Sequence, residues 1–178
     1  YITDIPDMNI ILSEFQYNQE NIYFMESIIN TIMDNSMFIK IIYTNPLITI
    51  NGLYLTLNLN VNKKETYFKK IKYTYDINNS YNNTILHKLY DIESSILDKY
   101  NSNKTKKYVL YNTLKIGILK IFPNQPNVHT NSGNTQLTSN ISSNELNSNN
   151  TKCYFTLKIS GIWENATEYG VTYKLSPS

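Results

Sequence analysis

Strict alternation is the plainest signal in the chain. Leu53, Leu55, Leu57, Leu59 and Val61 are apolar, while Tyr54, Thr56, Asn58 and Asn60 separate them, which predicts a half-buried β-strand. The same period recurs in Cys153, Phe155, Leu157 and Ile159 and again in Tyr169, Val171, Tyr173 and Leu175. Joined through residues 161–167, these two runs predict a hairpin with a wide connection. Phe38, Ile39, Ile41 and Ile42 form another β run, stopped by a turn at Pro46. Further strands are predicted over residues 67–77, 108–111 and 114–122, where Gly117 allows a bulge or bend and Pro123 ends the run.

One stretch switches to a helical period. Ile85, Leu89, Ile92 and Ile96, flanked by Leu86, Leu97 and Tyr100, predict a helix over residues 83–100, with Asn82 or Asn83 capping its start and Asn101 its end. Residues 1–36 are rich in apolar positions but lack a clean period. Only the last turns, around Ile28, Ile29 and Ile32, have helix-like spacing, so the segment reads as an acidic N-terminal arm with one short helix. Residues 124–151 consist almost entirely of Asn, Ser, Thr, Gln, Gly and Pro, with Glu145 as the single formal charge, and are predicted to be a mobile, disordered loop. Six or seven strands around one mid-chain helix give a mainly β domain over residues 37–178. The pattern suits an OB-like small β-barrel or an open antiparallel sheet with a long loop.

Composition narrows this picture. At 178 residues, 41% of them hydrophobic and 13% aromatic, the chain has the material for one packed core. No run approaches the roughly 18 apolar residues of a helical membrane span, so a soluble protein with no membrane partner is expected. The lone Cys153 excludes an intrachain disulfide and a Cys-based zinc site, which fits a reducing compartment. No signal-type leader is visible in the first residues. The sequence holds 27 Asn, 24 Ile, 16 Lys and 16 Tyr against one Ala, residue types that follow A/T-rich codons. The abundance of Asn, Lys or Tyr is therefore no evidence of function by itself.

Charge is unevenly spread. Residues 1–39 contain six acids and no Lys, whereas residues 40–178 contain all 16 Lys and eight acids. Within the latter, residues 63–120 carry 12 Lys and five acids, which is where an anionic partner is sought first.

Enzyme motifs are missing. There is no G-x-S-x-G, H-E-x-x-H, P-loop or G-x-G-x-x-G pattern, and no cofactor, metal or catalytic residue is predicted. His87 falls on the helix and reads as surface or helix-face filler, and His129 falls in the mobile loop, which does not hold a group as rigidly as catalysis needs. Asp91 and Glu93, two apart on the helix, read as solvated surface, and Cys153 as a buried, inert thiol.

Lysines interleaved with aromatics carry more information. Lys69, Tyr73 and Tyr75 would share one face of a strand and Lys70 and Lys72 the other; Lys106 and Lys107 precede Tyr108 and Tyr111; Lys115 follows; Tyr154 and Lys158 lie on the outward side of a C-terminal strand. Single-stranded nucleic acid binding uses these two ingredients, ammonium groups for phosphates and aromatic faces for unpaired bases. Trp163 is either a core anchor or a further stacking platform at the rim. With no Arg, the residue that most often reads guanine edges, sequence-independent binding is favoured.

Three stretches resemble a family associated with nucleocytoplasmic large DNA viruses: residues 33–43 with Asn51-Gly52-Leu53-Tyr54; Leu89-Tyr90-Asp91-Ile92-Glu93 through residues 96–100; and residues 157–164 through 169–174, where Trp163 and Gly170 hold fixed places. The chain is similar there to giant-virus single-stranded DNA-binding proteins related to those of short-tailed phages. The resemblance implies an OB fold with one helix and a non-catalytic role coating single strands in viral DNA replication and recombination. Single-stranded DNA, replication proteins and further copies of the chain are the partners it implies. The site of action would be the viral replication factory in the host cytoplasm, or the virion. Such proteins usually end in an acidic tail; here either a tail lies beyond residue 178 or the acids of residues 1–39 play its part. The rival expectation is a viral structural or assembly scaffold protein whose Tyr-rich sheet binds protein partners.

Overall fold

The computed structural model describes residues 12–13, 16–68, 70–122 and 151–178. Along the chain lie β1 (Leu12–Ser13), a 3-10 turn (Gln19–Asn21), β2 (Ile22–Ile29), β3 (Met37–Thr44), β4 (Thr49–Asn51), β5 (Leu53–Val61), β6 (Lys63–Tyr67) and β7 (Lys70–Thr74). There follow α1 (Ser80–Tyr100), β8 (Thr105–Lys107), α2 (Val109–Leu114), β9 (Ile118–Ile121), β10 (Thr151–Glu164) and β11 (Glu168–Pro177). One sheet runs β1-β5-β10-β11-β8, with β3 also paired to β10, β2 and β4; a second runs β6-β7-β9. The architecture is mainly β with two helices, and its sheets are open rather than closed into a barrel.

β10 is the spine of the larger sheet. On one side it pairs with β5 through Thr151–Ile159 and then with β3 through Gly161–Glu164; β11 follows its other side almost throughout. Between Ile159 and Gly161 the register against β11 shifts, leaving Ser160 as a bulge. The bulge reverses the alternation. Phe155, Leu157 and Ile159 point into the core, but beyond it the buried side chain is Ile162, and Trp163 turns outward. The alternation predicted up to Ile159 is found, and residues 161–164, expected in the connection, continue the strand in the opposite phase. The hairpin connection is tight, not wide, because Trp163 and Glu164 pair with Gly170 and Tyr169.

Helix α1 forms where the 3.6 period predicts it. Ile85, Leu86, Leu89, Ile92, Ile96 and Leu97 are all buried, each worth roughly 1.5–3 kcal/mol of transfer free energy. Its N-cap is Asn79, one turn earlier than expected, whose side chain accepts from the N–H groups of Tyr81 and Asn82. That frees Asn82 for a different task. Its amide accepts from the Asn60 N–H at 2.8 Å and donates to the Asn60 carbonyl at 2.9 Å, so a side chain closes the edge of β5 as a neighbouring strand would. Asn101 ends the helix in the left-handed conformation, as predicted.

Three local expectations fail. Ile22–Ile29 is a strand on the edge of β3, not a helix, and the only helical turn in the described part of residues 1–36 is at Gln19–Asn21. Residues 109–114 form α2 where one strand was expected over 108–111 and another from 114, and the latter begins only at Ile118. Glu93 is the reason: fully buried, its carboxylate accepts from the N–H groups of Leu110 at 3.0 Å and Tyr111 at 2.9 Å, supplying the N-terminal cap that α2's own flanking residue lacks. The solvated role read for Glu93 is thereby corrected. Thr151 begins β10, and the rest of the predicted loop, residues 124–150, lies outside the described residues. Among the described residues no helix is long and apolar enough to cross a membrane.

Candidate nucleic-acid interface

The outward positions of β5, β10 and β11 form one surface because paired residues share a face of the sheet. Tyr54, Lys158 and Lys174 lie in one row across the three strands, Thr56, Thr156 and Ser176 in the next, then Asn58 with Tyr154, then Asn60 with Lys152. No carboxylate occupies an outward position between Tyr54 and Asn60, Lys152 and Lys158, or Thr172 and Ser176. Lys152 and Lys158 are held by rings instead. Lys158 Nζ stands 4.9 Å from the centroid of Tyr54, and Lys152 Nζ 5.1 Å from that of Tyr81 and 5.7 Å from that of Tyr154. A hydrogen bond with Tyr81 pushes the Lys152 pKa above the ordinary lysine value. Such contacts orient an ammonium group yet leave donors open for a phosphate oxygen. Past the bulge the same surface continues onto β3, where Lys40 lies opposite Gly161 and Phe38 opposite Trp163.

Within residues 63–120, Lys64, Lys70 and Lys115 likewise stand over the rings of Tyr73, Phe122 and Tyr111, but five other lysines are ion-paired. Lys63 and Lys72 both bind Glu65, at 2.8 and 3.1 Å, and hold its carboxyl down at about 2. Lys106 pairs with Asp98, raising its own pKa and lowering that of the acid, while Lys107 pairs with Glu168 at 2.7 Å. Lys104 joins Glu164 at 2.9 Å, alongside the hydroxyls of Tyr100 and Ser102. Burial favours the neutral form of Glu164, but these three donors outweigh it and its pKa falls.

Of the thirteen residues predicted to touch nucleic acid, the structure therefore brings Tyr154, Lys158 and Trp163 onto the β10 face. Lys70, over the ring of Phe122, and Lys72 lie on the separate β6–β7–β9 sheet. Lys106 and Lys107 are ion-paired on β8. Tyr108 and Tyr111 pack half-buried around Tyr90, with Lys115 over Tyr111. Tyr73 and Tyr75 are corrected outright. Both are buried, Tyr73 edge-on to Phe155 and Tyr75 donating from its hydroxyl to the Leu114 carbonyl, so neither offers a free face to a base. Burial accordingly raises both hydroxyl pKa values. Lys69 lies outside the described residues. Sequence reasoning missed Tyr54, Tyr81, Lys40, Lys152 and Lys174, although alternation already put Tyr54 on the polar side of its own strand and Lys152 on the side of Lys158.

Among the described residues no cluster of His, Cys, Asp and Glu could hold a metal ion. Compared with protein families, characterised proteins and solved structures, the chain matches none.

Proposed function

We propose that this protein binds single-stranded DNA without catalysis and without sequence preference, as the giant-virus proteins it resembles do, with an opened OB-like sheet as the platform. The observation that carries the reading is the carboxylate-free, lysine- and tyrosine-bearing face of β5, β10 and β11. Lys40, Lys152, Lys158 and Lys174 would neutralise phosphates, and Tyr54 and Tyr154 would meet bases or sugars. Fluorescence anisotropy of a labelled oligo-dT tests this. Four phosphate contacts at about −0.7 each give a salt slope near −2.8, roughly a fiftyfold loss of affinity between 50 and 200 mM salt. Duplex DNA should compete poorly. Failure to bind at low salt would reject the proposal.

A second reading, a viral assembly or scaffold protein, draws on the tip of the β2–β3 hairpin, where Ile29 and Ile32 are 76% and 94% exposed. A protein interface built on that tip would tolerate the same rise in salt.

A further inference from the structure

The outer face changes character at the bulge. In the row Ile28, Phe38, Trp163, Gly170, four strands place two aromatic rings side by side, each covering a glycine of the next strand. A Cβ on Gly161 would come within 2.6 Å of the Phe38 ring, and one on Gly170 within 3.0 Å of Trp163 Nε1. Only glycine lets the rings lie down on the sheet. Beside them opens a groove of about 480 Å³, walled on the far side by Ile28, Ile32 and Met33 of the hairpin tip. The tip is held in shape, since the Asn30 side chain accepts from the N–H groups of Ile32 and Met33 and Ser36 donates to the Met33 carbonyl.

We infer that this groove takes an unpaired nucleobase, stacked on Trp163 and Phe38 and covered by the aliphatic tip; the inference rests on the single-stranded DNA reading above. Three features point to a base. The row beside the rings carries Lys40 opposite Gly161, and Lys158 lies just before the bulge on the same outer face, so phosphate-binding positions adjoin the groove. Its floor is aromatic and its opposite wall aliphatic, which together sandwich a flat ring. A base still paired and stacked in a duplex cannot enter, so the groove would supply the preference for single strands.

Trp163 is the single Trp of the chain, so its emission reports on this groove alone. The experiment follows Trp163 fluorescence and the anisotropy of a labelled strand in one titration, with oligo-dT and with an abasic oligomer of equal length and charge. Oligo-dT should quench Trp163 over the concentrations at which anisotropy rises, and the abasic strand should bind without quenching. Trp163→Leu should weaken oligo-dT binding roughly 5- to 150-fold, while leaving abasic binding in place. Ile32→Ser, at a fully exposed position, should weaken the quench without endangering the fold. Binding by anisotropy with unquenched Trp163 would overturn the base site and leave the DNA reading standing. No anisotropy change would overturn both. Emission that tracks protein concentration instead of oligonucleotide would assign the groove to a second copy of the chain and likewise overturn the proposal.

Discussion

Two regions of this molecule carry lysines, and they differ in what stands next to each one. On the β6–β7 hairpin and around β8, Lys63, Lys72, Lys106 and Lys107 each face a carboxylate at ion-pair distance. On β5, β10 and β11, Lys152 and Lys158 face tyrosine rings. The first region is the denser in lysine along the sequence, but these four of its lysines are met by acids in space. Charge counted along a chain thus locates acids and bases that fold together as readily as it locates a patch. In the proposed function, the phosphate-binding surface is the one where Lys152 and Lys158 are held by rings and not by carboxylates.

The strongest way to break this contrast is substitution by region. Changing Lys152, Lys158 and Lys174 together to Gln should reduce oligo-dT affinity roughly a hundredfold or more at 50 mM salt and flatten the salt slope by about 2. The same treatment of Lys72, Lys106 and Lys107 should change affinity only a few-fold. Equal losses from the two triple variants would dissolve the distinction between the regions.

Next in size comes Glu93, an acid that serves a helix and not a lysine. Glu93→Ala leaves two buried N–H groups of α2 without a partner and should cost about 2 kcal/mol in urea unfolding, with DNA affinity unchanged once folded. Burial pushes the Glu93 carboxyl above the usual carboxylate range, against the pull of the N–H groups. A carboxyl whose folded pKa exceeds its unfolded one favours the folded state most below about pH 4.3, and this contribution declines as pH rises toward the folded value. The stability of the natural chain relative to Glu93→Gln should therefore decrease between about pH 4 and neutrality, read from urea midpoints across that range.

The smallest expected effect is also the sharpest for the comparison. Glu65→Gln removes the carboxylate that Lys63 and Lys72 share. Oligo-dT affinity should rise, by at most about fivefold given the modest strength of exposed ion pairs. An unchanged or lower affinity would show that the hairpin lysines lie away from any bound strand.

Much of the fold was legible because it obeys short-range periods. α1, β3, β5, the start of β10 and the second strand of its hairpin all follow from spacing alone. What escaped reading depended on contacts distant in sequence. α2 exists because a carboxylate 16 residues before its first residue caps it, and Ile22–Ile29 is extended because β3 offers an edge, whatever the spacing of its isoleucines suggests. Tyr73 and Tyr75 share their alternation with a lysine, and nothing local tells which face of β7 meets Phe155. The site was half legible. Tyr154 and Lys158 were found from the outward side of one strand, but joining them to Tyr54 needed the register of β5 against β10.

Ser160 adds one residue to a strand of fourteen and so shifts its phase by half a period. The last four residues of β10 read as the mirror of the first nine. Paired without the bulge, the same fourteen residues would carry Trp163 from the outer surface into the interior and expose Ile162, while every residue kept its identity. For such a strand, where the one unpaired residue sits is information of the same rank as composition, because it decides which side chains the molecule shows to the world.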